Sequence, residues 1–453
     1  MTISPGVAPK QPSGITVLIV GLGTAGLTAA IECHRQGHRV IAFERAKEIK
    51  SQIGDGIGIA SNAAKVVSHW GNGAVREALC RVSCSANVVE VHDNSGTPLI
   101  VSRLDGYIDG EGYMVPRGPM MSIFYEHARS LGIPLHLGCV VEEYWETDTE
   151  AGVILASGER FVGDCVLCTD GVHGRGRDMI LGEHSQKSRD TGYSSFRTLF
   201  STEVVAADPA SRWVLEGTDI RDRSLMFLGR DMEFMMATFE NGKNLMWFCT
   251  HRDTSGGPES WTRSCSLEHA IGFISSWPCR DKLEPIIRKT PGATVLDHRL
   301  VVRSPLSTWR SAGGRMMVLG DAAHPINYTV GQGVGQAVED GAVVAIALRL
   351  AGASAVPLAL HVTEMIRHPR ATILQEAGAK FQAVWRNANW DDVCKDLNVL
   401  RMPRPKWIFD HDCQSYVLNE FDNVVRLIQT GAGYVPSNLP PDGTTGMEDD
   451  YNS

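Results

Sequence analysis

Three glycines and one acid carry the first chemistry in this chain. Gly21-x-Gly23-x-x-Gly26 is followed about 20 residues on by Glu44. Gly21 permits a tight turn, Gly23 lets a pyrophosphate approach backbone N–H groups, and Gly26 lets a helix pack closely on a strand. Glu44 is placed to accept hydrogen bonds from an adenosine ribose. The flanking sequence supports the motif. Ile15 to Val20 is a continuous apolar run, as in a strand buried on both faces of a parallel sheet. Leu27 to Arg35 has helical composition, Gly37 ends it, and Arg39 to Phe43 forms a second strand closing on Glu44. This βαβ unit predicts dinucleotide binding; the motif alone does not separate NAD from FAD.

Further segments bear on that choice. Gly54-Asp55-Gly56-Ile57-Gly58-Ile59-Ala60-Ser61-Asn62-Ala63 is a glycine-rich loop, and Arg117 precedes a predicted helix, Met120 to Ser130. Cys168-Thr169-Asp170-Gly171 ends a strand-like stretch. Arg315 to Leu319 is a short buried strand that delivers Gly320-Asp321-Ala322-Ala323-His324-Pro325. Gly331-Gln332-Gly333 and Val334 then open a helix, predicted over Gln336 to Ala342. In these segments, with the glycine fingerprint, the chain resembles the single-component flavoprotein aromatic monooxygenases, the group of para-hydroxybenzoate and salicylate hydroxylases, in its fungal secondary-metabolism form. It departs from the family in two places. Gly-Ala usually precedes the Asp-Gly of Asp170-Gly171, and a proline usually stands at Asn327 or Tyr328.

The resemblance implies a non-covalent FAD held by Gly21, Gly23, Gly26, Glu44, Gly56, Gly58, Arg117, Asp170, Asp321, Gly333 and Val334. NADPH or NADH acts as a transient co-substrate, since no second G-x-G-x-x-G follows a strand. The implied reaction inserts one atom of O2 into an electron-rich ring through a flavin C4a-hydroperoxide. Arg197, in Ser195-Phe196-Arg197-Thr198-Leu199, is the candidate catalytic residue, because fungal members carry an arginine there on a substrate-domain strand. A lone arginine in an apolar strand also reads as a salt-bridged residue. Relatives that oxidise phenols often have a tyrosine about thirty residues later; here the neighbourhood is Leu225-Met226-Phe227-Leu228 and Phe234-Met235-Met236. Met and Phe line pockets for large apolar aromatics, which favours an indole alkaloid or aromatic polyketide. The alternatives are a salicylate-type phenol hydroxylase, a flavin oxidase or dehydrogenase without oxygen insertion, and a redox-sensing or FAD-storage module.

These residues need a scaffold of the α/β class: a Rossmann-like FAD-binding domain interrupted by a β-rich substrate domain, with a helical C-terminal segment. The predicted boundaries are 1–80, 105–185 and 300–365 for the FAD-binding domain, and 81–104 with 186–299 for the substrate domain. Residues 366–432 form the helical segment, with Trp385, Trp390 and Trp407 in its core, and 433–453 a disordered tail. The strands Glu233 to Phe239 and Asn244 to Thr250 flank an Asn241-Gly242 hairpin turn.

Composition agrees with a globular enzyme. The 453 residues are 43% hydrophobic and 21% charged, so wholesale disorder is excluded. Lys plus Arg number 43 against 52 Asp plus Glu, a formal net charge of -9, which gives no footprint for nucleic acid. Gly341 to Leu360, broken by Gly352, Ser354 and Pro357, predicts a buried helix with a loop after it and no membrane span. Met1 to Gly14 has no signal-peptide pattern. Eleven scattered cysteines suit a reducing, cytoplasmic setting, and Cys165-x-x-Cys168 reads as buried thiols, with no metal site. His324 reads as a turn-packing histidine beside Pro325. The expected partners are a small aromatic molecule and O2, with the chain a monomer or homodimer.

Overall fold

The apolar run at the start of the chain forms the strand Thr16–Val20, and it is central in a five-stranded sheet. In this computed structural model the described residues are 10–49, 55–108, 110–181, 188–253, 260, 263–387, 396–401 and 404–440. The sheet order is Met316–Val318, Cys165–Cys168, Thr16–Val20, Arg39–Glu44, Leu135–Leu137, and every pairing is parallel. Residues 17–19 are 0% exposed, as a strand covered on both faces must be. Helix Thr24–Arg35 covers one face, and helix Gly333–Ala351 packs on that helix so closely that a Cβ on Gly341 would lie 2.7 Å from the Ala29 nitrogen.

A second sheet has eight strands, in the order Ser264–Ser266, Thr294–Val302, Arg189–Ser201, Asn244–Arg252, Met232–Phe239, Ser224–Gly229, Val88–Asp93, Pro98–Arg103. Its side chains alternate between two faces. Phe196, Phe234 and Trp247 pack with Leu267, Ile271, Leu283 and Ile286 of two short helices on one face. Arg197, Met235 and Phe248 belong to the opposite face, which is turned to the parallel-sheet unit.

The structure differs from the sequence expectation at three places. The helix after Arg117 begins at Arg117 itself, Arg117–Ser130, because Pro119 falls in a first turn whose N–H groups need no helical partner. The loop expected within 341–360 shrinks to the turn Ala353–Ala355. Pro357 stands in the first turn of a new helix, Val356–Asn387, at 111° to the preceding one. The disordered tail does not begin at Gly433: the Tyr434 hydroxyl meets that of Tyr416 at 2.7 Å, and Asn438 is buried. Residues 441–453 lie outside the described residues. Among the described residues no single helix is long and apolar enough to cross a membrane.

Helix Gly333–Ala351 carries two adjacent acids that are fully buried, Glu339 and Asp340. Arg367 Nε donates to Asp340 Oδ1 at 2.9 Å and its Nη1 also pairs with Glu339. Arg370 reaches both Glu339 oxygens, at 2.9 and 3.1 Å. Burial alone would raise both carboxyls. The Arg370 and Arg367 charges reverse this for Glu339, the His324 and Arg367 charges for Asp340, and both end below the usual carboxylate range. A lowered folded-state pKa contributes stability that is present above the unfolded value, about 4, and is lost as pH falls through the folded value. Thermal stability followed by circular dichroism is therefore expected to fall progressively below about pH 4. Arg367→Met, which removes the one cation shared by both buried carboxylates, is expected to cost about 3–5 kcal/mol at neutral pH in a denaturant titration.

Candidate active site

At the end of strand Thr16–Val20 the backbone turns through Gly21 at φ +95°, where a side chain is disfavoured. A Cβ there would lie 2.6 Å from the Thr169 carbonyl oxygen, and one on Gly26 would lie 1.9 Å from that of Gly21. Thr169 Oγ1 donates to the Gly21 carbonyl at 2.7 Å, so the Cys168-Thr169-Asp170 strand end braces the turn. Gly23 differs: nothing lies within 4 Å of where its Cβ would be. It caps helix Thr24–Arg35 with no side-chain acceptor, which leaves first-turn N–H groups for a ligand. Glu44 flanks the turn, its two oxygens accepting from the Leu22 and Ala46 N–H groups at 2.8 Å each.

The opposite wall is built on Asp340. Its Oδ2 accepts from the Gly320 N–H at 2.9 Å and lies 2.6 Å from His324 Nε2, which fixes the turn that carries Asp321. The histidine thus braces the turn from within. Asp321 is exposed, yet surrounding protein strips enough water to raise its carboxyl above the usual range; His324, Arg117 and Arg303 act in the other direction. An accessible carboxyl walled in by protein marks the floor of a cleft. Gly333, like Gly23, has nothing within 4 Å of a would-be Cβ, and Val334 is buried beside it.

The loop strand Gly56–Ile59 pairs antiparallel with Tyr113–Pro116, so Arg117 emerges next to it, and the Arg117 N–H donates to the Asp55 carbonyl at 2.9 Å. A Cβ on Gly56 would lie 2.7 Å from Met246 Sδ, and one on Gly58 2.5 Å from the Tyr107 ring. Both glycines therefore let a neighbouring element close in. Across this strand, Arg197 Nη1 donates to Asp55 Oδ2 at 2.9 Å, with the two side chains 13% and 24% exposed. The arginine of the apolar strand is thus ion-paired, and its pair joins the two sheets' units. Phe248 and Met235 continue the cross-strand row from Arg197, and all three are half-buried.

A protein-family model described as an FAD binding domain matches residues 14–377. Asperlicin C monooxygenase from Petromyces alliaceus is 43% identical over 441 residues, 97% of this chain and 95% of that protein. The crystal structure of FqzB superposes at a TM-score of 0.88 with 42% identity, covering 97% of this chain and 100% of that one. The chain belongs to the FAD-dependent monooxygenases. A structure of CtdE in complex with FAD and substrate 4 is similar over 91% of this chain and 99% of its own, at 40% identity and TM-score 0.86.

The residues of this monooxygenase fit the cofactor. The open spaces at Gly23 and Gly333, with Asp321 on the cleft floor, form a cradle that side chains would fill. Of the residues singled out from the sequence, Gly21, Gly23, Gly26 and Glu44 gather at one end of that cleft. Asp321, Gly333, Val334, Gly56, Gly58, Arg117 and Arg197 belong to elements around the other. Asp170 Oδ2 accepts from Tyr144 Oη at 3.1 Å and from the Gly176 N–H at 3.0 Å. The Cys165 and Cys168 thiols are fully buried, and burial pushes the first up to about 12, which makes both inert. Trp407 lies under the Arg370 guanidinium, 5.2 Å from ring centroid to Cζ; Trp390 and the Trp385 side chain fall outside the described residues, as does Gly54. Sequence reasoning missed Asp55 as the partner of Arg197, although an acid leading a Gly-x-Gly loop was visible. It also missed Asn62, whose Nδ2 donates to Glu339 at 2.6 Å and to Gln332 Oε1 at 3.1 Å.

The glycines should separate by variant. Gly26→Ala forces its Cβ into the Gly21 carbonyl and is expected to lower the flavin-free protein's stability by about 1–3 kcal/mol. Gly23→Ala meets nothing and is expected to leave that stability unchanged. Denaturant titration of both apoproteins checks this, and equal losses would contradict it.

Proposed function

We propose that this monooxygenase oxygenates the electron-rich ring of a bulky aromatic natural product, an indole alkaloid or aromatic polyketide, with NADPH or NADH as transient reductant and O2 as oxygen source. The observation that carries this reading is the Arg197–Asp55 bridge beside the half-buried row of Phe248 and Met235: a fixed cation at the edge of an apolar strip facing the cofactor loops. The natural-product substrate named for the asperlicin C relative supports the substrate class.

Bound in the cleft, a non-covalent FAD supplies electron transfer from the nicotinamide cofactor and the activation of O2. The protein supplies placement. The Gly23 end of helix Thr24–Arg35 would offer first-turn backbone N–H groups to the pyrophosphate, with Gly21 making the turn and Gly26 letting the helix pack against it, and Glu44 would accept from the adenosine ribose. Asp321 accepts from the ribitol chain, while Gly56, Gly58, Arg117, Gly333 and Val334 surround the ring end; Asp170, held by Tyr144, shapes the strand end behind the glycine turn. Arg197, oriented by Asp55, anchors a substrate oxygen or stabilises negative charge that develops as oxygen is transferred. Met235, Phe248 and Leu199 exclude water from the reacting ring. We place the protein in the cytoplasm, as a monomer or homodimer.

Purified protein is expected to carry flavin near 1:1 that acid releases. Asp321→Ala and Glu44→Ala each remove charge-assisted hydrogen bonds worth about 1.5–3 kcal/mol, so flavin retention falls in both. Normal flavin content in Asp321→Ala would remove that residue from the cofactor site. Arg197→Ala is expected to keep FAD, lose about 10²–10³ in oxygenated product, and release its reducing equivalents as H2O2. Full product formation by that variant would leave Arg197 as a strut between the two sheets.

A further inference from the structure

The sheet face that carries Arg197 has a second polar group at the other end of its apolar strip. Register sets Ser195, Thr250 and Glu233 in the cross-strand row next to Arg197, Phe248 and Met235. Side-chain alternation puts both rows on one face. Opposite Glu233 stands Tyr328, in the turn Tyr328–Val330 that leads to Gly331 and Gly333. The Tyr328 hydroxyl donates to Glu233 Oε1 and lies 3.0 Å from Thr250 Oγ1, and its ring meets that of Phe248 edge-on, 6.2 Å between centroids. Tyr328 occupies one of the two positions where the family pattern has proline, so this contact comes with a departure from that pattern.

Two strands across and two residues along separate the Cα atoms of Arg197 and Glu233 by about 12 Å, a span wider than one benzene ring. Each end is fixed from the cofactor side, Arg197 by Asp55 and Glu233 by Tyr328. Glu233 is half-buried, and its Oε2 has no hydrogen bond among the described residues. A carboxylate oxygen accepts and cannot donate, so a ligand that completes it must bring a donor.

We propose that Glu233 determines substrate choice by accepting a hydrogen bond from a donor on the aromatic substrate, a ring N–H or a phenolic O–H, at the opposite end of the strip from Arg197. Tyr328 is the positioning residue that holds the carboxylate in place. This inference rests on the substrate reading above and narrows it to molecules whose electron-rich ring system carries a donor far from the group that Arg197 holds.

The test is equilibrium binding to the FAD-loaded protein without reductant, read from the flavin absorbance change. The probes are norharmane against its 9-methyl derivative for N–H, and 2-naphthol against 2-methoxynaphthalene for O–H. The expected result is that the wild type prefers the donor-bearing member of one pair by on the order of 10–100-fold. The pair that discriminates names the donor. Glu233→Leu is expected to erase the preference and Glu233→Gln to shrink it, with flavin content unchanged in both. Tyr328→Phe is expected to keep a preference, reduced by the looser carboxylate. A purely structural Glu233 would lower thermal stability alike in the Glu233 and Tyr328 variants and leave the preference intact, which overturns the proposal. So does a wild type that binds both members of each pair equally or binds no donor-bearing probe. Product analysis with NADPH and O2 is scored separately: loss of oxygenated product in the wild type sinks the function proposed above, whatever the binding ratios show.

Discussion

Glu339 and Asp340 are the charges on which the site's construction depends. Burying two adjacent carboxylates is costly unless each is paired and hydrogen-bonded, and the protein meets that demand by bringing distant segments to them. Arg367 and Arg370 come from the long helix Val356–Asn387, Asn62 from the helix after the Gly56–Ile59 strand, and Gly320 with His324 from the Asp321 turn. Arg367 also takes the Gln336 side-chain oxygen at 2.6 Å. Two segments that carry site residues, the Gly56–Ile59 strand with the helix after it and the Asp321 turn, are thereby fixed to one cluster. A cluster of this kind acts as a unit: a missing partner leaves a neighbour unpaired at low dielectric.

The sheet face that carries Arg197 is built on different physics. There the eight-stranded sheet presents a half-buried strip to the cofactor unit, and polar bridges cross the boundary. Arg197–Asp55 and Glu233–Tyr328 bond groups from different units, so the cleft between them depends on how the units dock. The closed side of the same sheet is a dense aromatic core, with Phe234 stacked on Trp247 at 5.5 Å. One face is packed solid and the other is turned to the parallel-sheet unit.

What could be read from the sequence was what is local. The glycine turn was legible because Gly21 and Gly26 answer to neighbours set by one βαβ unit, and the hairpin at Asn241-Gly242 because turn chemistry is short-range. Arg197 stood out because a charge in an apolar strand must have a reason. Its partner did not, since Asp55 lies 142 residues away in sequence. Glu339 and Asp340 were hidden for the same cause: a helix that looks apolar gives no hint that its acids are answered by arginines 27–31 positions later. The docking of Tyr434 and Asn438 was obscured by a proline-rich composition that resembles a free tail. Segment 88–103, which the sequence reading grouped with 186–299, joins the eight-stranded sheet by pairing with Ser224–Gly229, a contact across more than a hundred residues.

The helical setting of the two acids has a consequence for how such a chain can change. An α-helix advances about 100° per residue, so one residue added or removed between Gly333 and Glu339 would swing both carboxylates off the arginines by more than a quarter turn. The Gly333 end cannot slide to compensate, because it borders the cleft. That stretch of helix is therefore fixed in length as well as in composition, and variation in the size of the cleft has to come from side chains on the sheet or from loops at its margin. The chain's architecture leaves change on this side to substitution on one sheet face, with insertion confined to the edges.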